Sequence, residues 1–195
     1  AEAAASFSAA AGVWARLAEA NPAVPRYRAE LAECRFRLGV CSVRAFKLAE
    51  SREHFRAALA LREKLASEQP GDPNHRRQAA NCRQNIASVL SASGLTEEAL
   101  KEWRTALDVR DRLTLDHPDD LQCRVELYNV CVQYARALAA AGQADEAKRY
   151  ARHAVDRCAE YAAKFPQITA FADIRGWAED VLAGKVPDTE SVPKK

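Results

Sequence analysis

Six cysteines and four histidines are the side chains of this sequence best able to ligate a metal or attack a substrate. The cysteines are Cys34, Cys41, Cys82, Cys123, Cys131 and Cys158; none form C-x-x-C, and no Cys/His pairing has zinc-finger spacing. Most stand where helical periodicity asks for a small apolar residue, so they read as reduced core thiols, with disulfides or a metal as lesser readings. His54, His75, His117 and His153 are scattered, with no carboxylate or thiol at ligand spacing. Glu53 and His54 are adjacent, so on a helix they point apart. His75 shares a register with Tyr27 and Cys123, which suits a helix interface. G-x-S-x-G, H-E-x-x-H and the P-loop are absent. No catalytic residue set emerges, and neither a metal nor a cofactor is expected.

The elements that would carry these residues are helical. Among 195 residues, 48% are hydrophobic, with aromatics at only 7% and no Met. Ala, Leu, Glu, Arg, Lys and Gln fill most positions, and runs of Val, Ile, Thr and Tyr are missing. Charge is balanced, 29 basic against 27 acidic residues, and interspersed as on solvated helix faces. That balance offers little attraction to phosphate, so nucleic acid is not an expected partner. A signal peptide and an apolar run of membrane-spanning length are both missing from the sequence, which points to a cytoplasmic, reducing compartment without membrane contact.

The strongest pattern is an interval. Pro22, Pro70, Pro118 and Pro166 recur every 48 residues. Stacked on that interval, Arg28, Arg76 and Arg124 coincide, as do Phe55, Trp103 and Ala151, then Ala58, Ala106 and Ala154, then Leu65, Leu113 and Tyr161. The apolar columns sit three or four apart, the period of an amphipathic helix. Each unit splits into two helices. Asp72 and Pro73 suit a helix start, Gly94 a stop near Ser93, and Thr96 a cap for the next helix, which runs to about Asp116. Asp119 or Asp120, Gly142 and Lys164 repeat the design. In the first unit Phe46 replaces the glycine, which predicts a tighter or longer connection around 45–50. The expected fold is all-α, built of antiparallel helix hairpins with a 48-residue period.

The expected organisation is a second helix of a truncated repeat at 1–21, repeats at 22–69, 70–117 and 118–165, a capping helix at 166–184, and a disordered tail at 185–195. Phe7 and Ala10 continue the Phe55 and Ala58 columns backward, so the chain is expected to be a slice of a longer array. The capping helix should show Phe171, Ile174, Trp177 and Leu182 on its apolar side. Trp14, Trp103 and Trp177 are expected to be packing residues.

These columns resemble tetratricopeptide repeats. The family's unit of about 34 residues carries a Leu-Gly pair, a large residue three on, a loop glycine, an Ala, an aromatic and another Ala. Here Leu38-Gly39 stands in the first unit. The second has Ile86-Ala87, Leu90, Gly94, Ala99, Trp103 and Ala106, and the third Tyr134-Ala135, Leu138, Gly142, Ala147, Ala151 and Ala154. The family's tryptophan near the start of the first helix is missing; Arg35, Arg83 and Cys131 hold that column. The additional residues of each unit would lengthen both helices at their outer ends. The phrasing of residues 98–120 is also similar to arrays C-terminal to the kinase domain of large bacterial serine/threonine protein kinases.

The resemblance implies a right-handed α-solenoid whose first helices line a concave groove. Its groove positions map onto Glu33, Asn81 and Asn129, then Phe36, Gln84 and Val132, then Arg37, Asn85 and Gln133, then Val40, Ser88 and Arg136. Asn81, Asn85, Asn129 and Gln133 would form a carboxamide ladder able to hold a peptide main chain. Arg37 and Arg136 would take carboxylates or phosphates. The family's two-carboxylate clamp needs lysine and asparagine where Phe36 and Val40 stand, which argues against clamp-type chaperone binding. The implied function is a non-catalytic protein-interaction scaffold that binds a peptide or partner helix. The alternative is a structural spacer or self-association region of a larger kinase, associating through its N-terminal repeat.

Overall fold

The computed structural model describes residues 2–185. Among them are eight helices and no strand: α1 (Glu2–Ala20), α2 (Pro25–Arg44), α3 (Leu48–Glu68), α4 (Pro73–Ala92), α5 (Thr96–Asp116), α6 (Leu121–Ala140), α7 (Ala144–Lys164) and α8 (Ala170–Leu182). The chain divides between Leu95 and Thr96 into two compact units. In the first, α1 packs on α2, α2 on α3 and α3 on α4; in the second, α5 packs on α6, α6 on α7, and α8 on both α6 and α7. None of these helices is long and apolar enough to cross a membrane. Of the expected tail, 186–195 lies outside the described residues.

Two kinds of connector set where helices begin and end. The first is a four-residue turn with proline in second place. It is closed by Val24 N–H on the Asn21 carbonyl (3.0 Å), Asp72 on Gln69 (3.0 Å), Asp120 on His117 (3.1 Å) and Ile168 on Phe165 (2.9 Å). Proline's fixed φ suits that place, which explains why Pro22, Pro70, Pro118 and Pro166 recur. The turn ends on the helix cap: Asp72 accepts from Asn74 N–H (2.9 Å), and Asp120 from Gln122 (2.9 Å) and Cys123 (3.3 Å). At two of these corners an arginine six residues after the proline, buried Arg28 or half-buried Arg124, seals the turn. Arg28 donates to the Pro22 carbonyl and to Glu68, and Arg124 to the Pro118 carbonyl. Arg124 also donates to the Tyr161 hydroxyl (2.6 Å) and lies over that ring.

The second connector is a three-residue link whose middle residue is left-handed: Phe46 (φ 57°), Gly94 (75°) and Gly142 (77°). After α8, Gly184 (71°) makes the same bend. Each is sealed by an N–H five residues on from its acceptor: Lys47 to Ser42, Leu95 to Leu90 and Gln143 to Leu138 at 2.9 Å, and Lys185 to Asp180 at 2.8 Å. The connection around 45–50 is therefore neither tighter nor longer than the others. Phe46 accepts the positive φ because the cap's hydrogen bond demands it of whatever residue stands there. Ser42 Oγ (2.8 Å) and Lys47 Nζ (3.2 Å) on the Glu50 carboxylate tie the ends of α2 and α3 together across it. Thr96, expected as a cap, is instead the first residue of α5.

The core of unit one is Phe55, Leu65, Ala32, Ala58, Ala80, Ile86 and Ala87, all fully buried. Gly39 is necessary there: a Cβ would stand 2.6 Å from the Phe55 ring. Phe7, Ala10 and Trp14 of α1 pack on Cys34 and Leu38, and Trp14 stacks on Tyr27 with ring centroids 6.0 Å apart. In unit two, Ala106, Val132, Ala135, Ala151, Ala154, Cys158, Phe171 and Ala178 are fully buried. Trp103 is buried, but Trp177 is 39% exposed. The buried stripe of α8 runs Phe171, Ile174, Ala178 and Val181, and Trp177 lies one residue, about 100°, off it.

The link at Phe46 yields a test. A left-handed non-glycine residue costs about 1–2 kcal/mol, and Phe46, 60% exposed, recovers little by burial. Phe46→Gly is expected to stabilise the protein by about 1 kcal/mol, less glycine's entropic penalty in the unfolded chain. Urea unfolding of the two proteins checks it; a destabilised variant would show that Phe46 contributes packing.

Candidate functional site

On α2, Glu33, Phe36 and Arg37 share one face at spacings of three and four; on α4, Gln78, Asn81 and Cys82 do the same. The two faces meet over Arg62 of α3 and enclose a cavity of ≈ 190 Å³. Phe36 forms a wall, its ring packed on Phe55 with centroids 5.3 Å apart. Glu33 bridges the two cations: one carboxylate oxygen accepts from Arg37 Nε (2.6 Å), the other from Arg62 Nη2 (3.4 Å). Arg37 is exposed, whereas Arg62 is only 5% exposed. Burial pulls the Arg62 guanidinium below its ordinary pKa, and Glu33 opposes that shift. The Cys82 thiol is pushed up to about 12 by burial, so it is protonated.

Of the residues expected to line a groove, the structure brings Arg37 and Asn81 together here with Glu33 and Phe36. Asn85 follows one turn along α4, but its amide donates to the Asn81 carbonyl at 2.9 Å, so that donor is turned back onto its own helix. Asn129, Gln133 and Arg136 lie half-buried along α6 in the other unit. Val132, expected beside them in the groove, is fully buried in the core. Three lining residues, Arg62, Gln78 and Cys82, escaped the sequence reading. The available signal was the recurrence of arginine at 62 and 110, within otherwise apolar columns.

Unit two has a cavity of ≈ 340 Å³ that the sequence reading also missed. Leu107, Leu127 and Cys131 contribute its apolar lining, and Arg104, Asp108, Asp111, Arg149, Tyr150 and His153 its polar one. Arg104 donates to the Tyr150 hydroxyl (2.8 Å) and to Asp108 (3.2 Å). Arg149 lies over the Tyr150 ring and pairs with Glu146 at 3.0 Å. Arg104, Asp108 and Arg149 thus engage residues of their own unit. Elsewhere in this unit, Arg110 is 1% exposed and donates to Glu126 at 2.5 Å.

All six cysteines are free, and all but Cys41 are buried. Among the described residues no group of three or more His, Cys, Asp or Glu is arranged to hold a metal. Compared with known families and curated proteins, the chain matches no family model and no curated protein.

The thiols make a pH prediction. Burial pushes Cys82, Cys131 and Cys158 each to about 12. In the unfolded chain they titrate near the ordinary value of about 8.5. Above that value the unfolded chain releases protons the folded chain keeps, so stability falls as pH rises toward 12. The slope approaches about 1.4 kcal/mol per thiol per pH unit. Urea unfolding at pH 8 and pH 10 should show the loss, and Cys158→Ala should flatten it; a variant with the unchanged slope would refute the assignment.

Proposed function

We propose that this chain is a tetratricopeptide-like interaction module that receives an extended peptide between α2 and α4, over α3. The repeat part of this reading rests on helix limits. α2, α4 and α6 begin at residues 25, 73 and 121, and α3, α5 and α7 at 48, 96 and 144, so both series advance by 48. Between the members of each pair the link is three residues with a left-handed centre. Ala58, Ala106 and Ala154, one column of the interval, are all fully buried, which suits close helix approach.

The observation that carries the binding part is the cavity of unit one, where Arg37 and Asn81 from neighbouring helices stand on one opening. Asn81 would use its carboxamide on the ligand's main chain, which needs both a donor and an acceptor. Arg37 would draw anionic groups, and Phe36 would offer an apolar wall. Recognition of this kind reads main chain first and side chains at the few pockets that exist.

Peptides selected against the protein from a random display library test the reading. Asn81→Ala should weaken the selected peptides about tenfold, the size of one lost hydrogen bond left unreplaced, with an unchanged helical circular dichroism spectrum. Selected peptides that bind Asn81→Ala and Arg37→Ala as tightly as the original protein would place binding elsewhere and sink the proposal.

A further inference from the structure

Arg62 of α3 and Arg110 of α5 occupy the same place in the interval of 48, and both are buried. Arg110 has a carboxylate for a partner, Glu126 of α6, at 2.5 Å. The place of Glu126 one interval earlier is held by Gln78 of α4, a neutral amide. Arg62 is left with one ion pair, reached from the other side, to Glu33 of α2 at 3.4 Å. Glu33 is already shared with Arg37 at 2.6 Å. Gln78 donates to Asn74 at 3.3 Å, while its Oε1 is buried without a hydrogen-bond partner. Where the carboxylate is missing, the ≈ 190 Å³ cavity opens, lined by both Arg62 and Gln78. Its charged lining is two guanidinium groups against one carboxylate, a net positive charge.

Arg62 is a buried guanidinium held by one long contact to a carboxylate that Arg37 shares, an arrangement with room for a further acceptor. Filling it from outside requires an anion small enough for the cavity and planar enough to meet the fork of Arg62. We propose that this cavity is the receptor for a carboxylate side chain, aspartate or glutamate, of the bound peptide, which takes the place Glu126 takes beside Arg110. The inference rests on the peptide reading above and adds the ligand's chemistry to it. Asn81 holds the main chain at the rim while Arg62 reads the acidic side chain below. Because Arg62 is itself buried, an ion pair to it is less screened than a surface pair and discriminates more strongly.

Two blocked octapeptides, one alternating glutamate and serine and one alternating glutamine and serine, test this by calorimetric titration at low salt. The glutamate peptide should bind the original protein at least about tenfold more tightly. Gln78→Glu supplies the missing carboxylate internally, so it should raise Tm without peptide and abolish the preference. Ala60→Glu adds the same charge at an exposed position of α3 and should leave the preference intact. A preference that survives Gln78→Glu, one lost equally in Ala60→Glu, or a Gln78→Glu protein that melts no higher would each overturn the inference. Equal binding of both peptides would refute the carboxylate receptor and leave the peptide groove standing; binding of neither would refute both.

Discussion

The helix contacts within each unit depend on connectors of nearly constant length, three residues at the left-handed links and four at the proline corners, with five before α8. On an α-helix one extra residue turns everything after it by about 100°, enough to carry a buried stripe to the surface. The three-residue links hold because a single hydrogen bond spans five residues across a left-handed centre. The proline corners hold because proline presets one dihedral and, at Pro22 and Pro118, a guanidinium seals its carbonyl. Phe46 measures the force of the constraint. A large side chain sits in the left-handed region, mostly in solvent, rather than let the link between α2 and α3 adopt another length. The cost of one strained residue is small beside the burial of Phe55, Ala58 and Leu65 that a shifted α3 would forfeit.

What the sequence disclosed follows from the same source. Proline at a turn, aspartate at a cap and glycine at a left-handed position act through their own backbones, so they are legible one residue at a time. The alanine columns are legible because small residues recur where helices approach. Phe46 departs from expectation because the link requires a left-handed conformation, which glycine adopts most cheaply but which any residue can be held in. Trp177 was misread because hydrophobicity was counted without the angle that places Ala178, not Trp177, on the stripe. Val132 was assigned to a groove by analogy of position and lies in the core. The cavities were illegible for a different reason. They depend on how far arginine stems reach across to other helices, which no period along one helix records.

The arginines are also what an alanine-rich core makes room for. Alanine brings helix axes close but fills little volume, and long aliphatic stems can occupy the remaining space while their heads find partners. Arg28 does so at a corner, where a backbone carbonyl and Glu68 receive it. Arg110 does so between α5 and α6, where Glu126 receives it. Such pairs add modest stability, since desolvation offsets much of the attraction. They do discriminate: an adjacent helix offering no acceptor would strand a buried charge, which is costly.

Arg62 departs from this logic. Its column and its burial are those of Arg110, but the helix that follows offers Gln78 instead of a carboxylate. The charge is balanced from the preceding helix, by a Glu33 that must also serve Arg37. A core built only for stability would have little reason to keep a guanidinium in that setting, since a well-packed apolar side chain of similar volume is commonly neutral or better. The helix pairs α3–α4 and α5–α6 therefore differ at an energetically expensive position, and in α3–α4 the difference stands on a cavity. A buried charge paired on one side only, beside an accessible opening, is the arrangement that the proposed selectivity for an opposite charge would require.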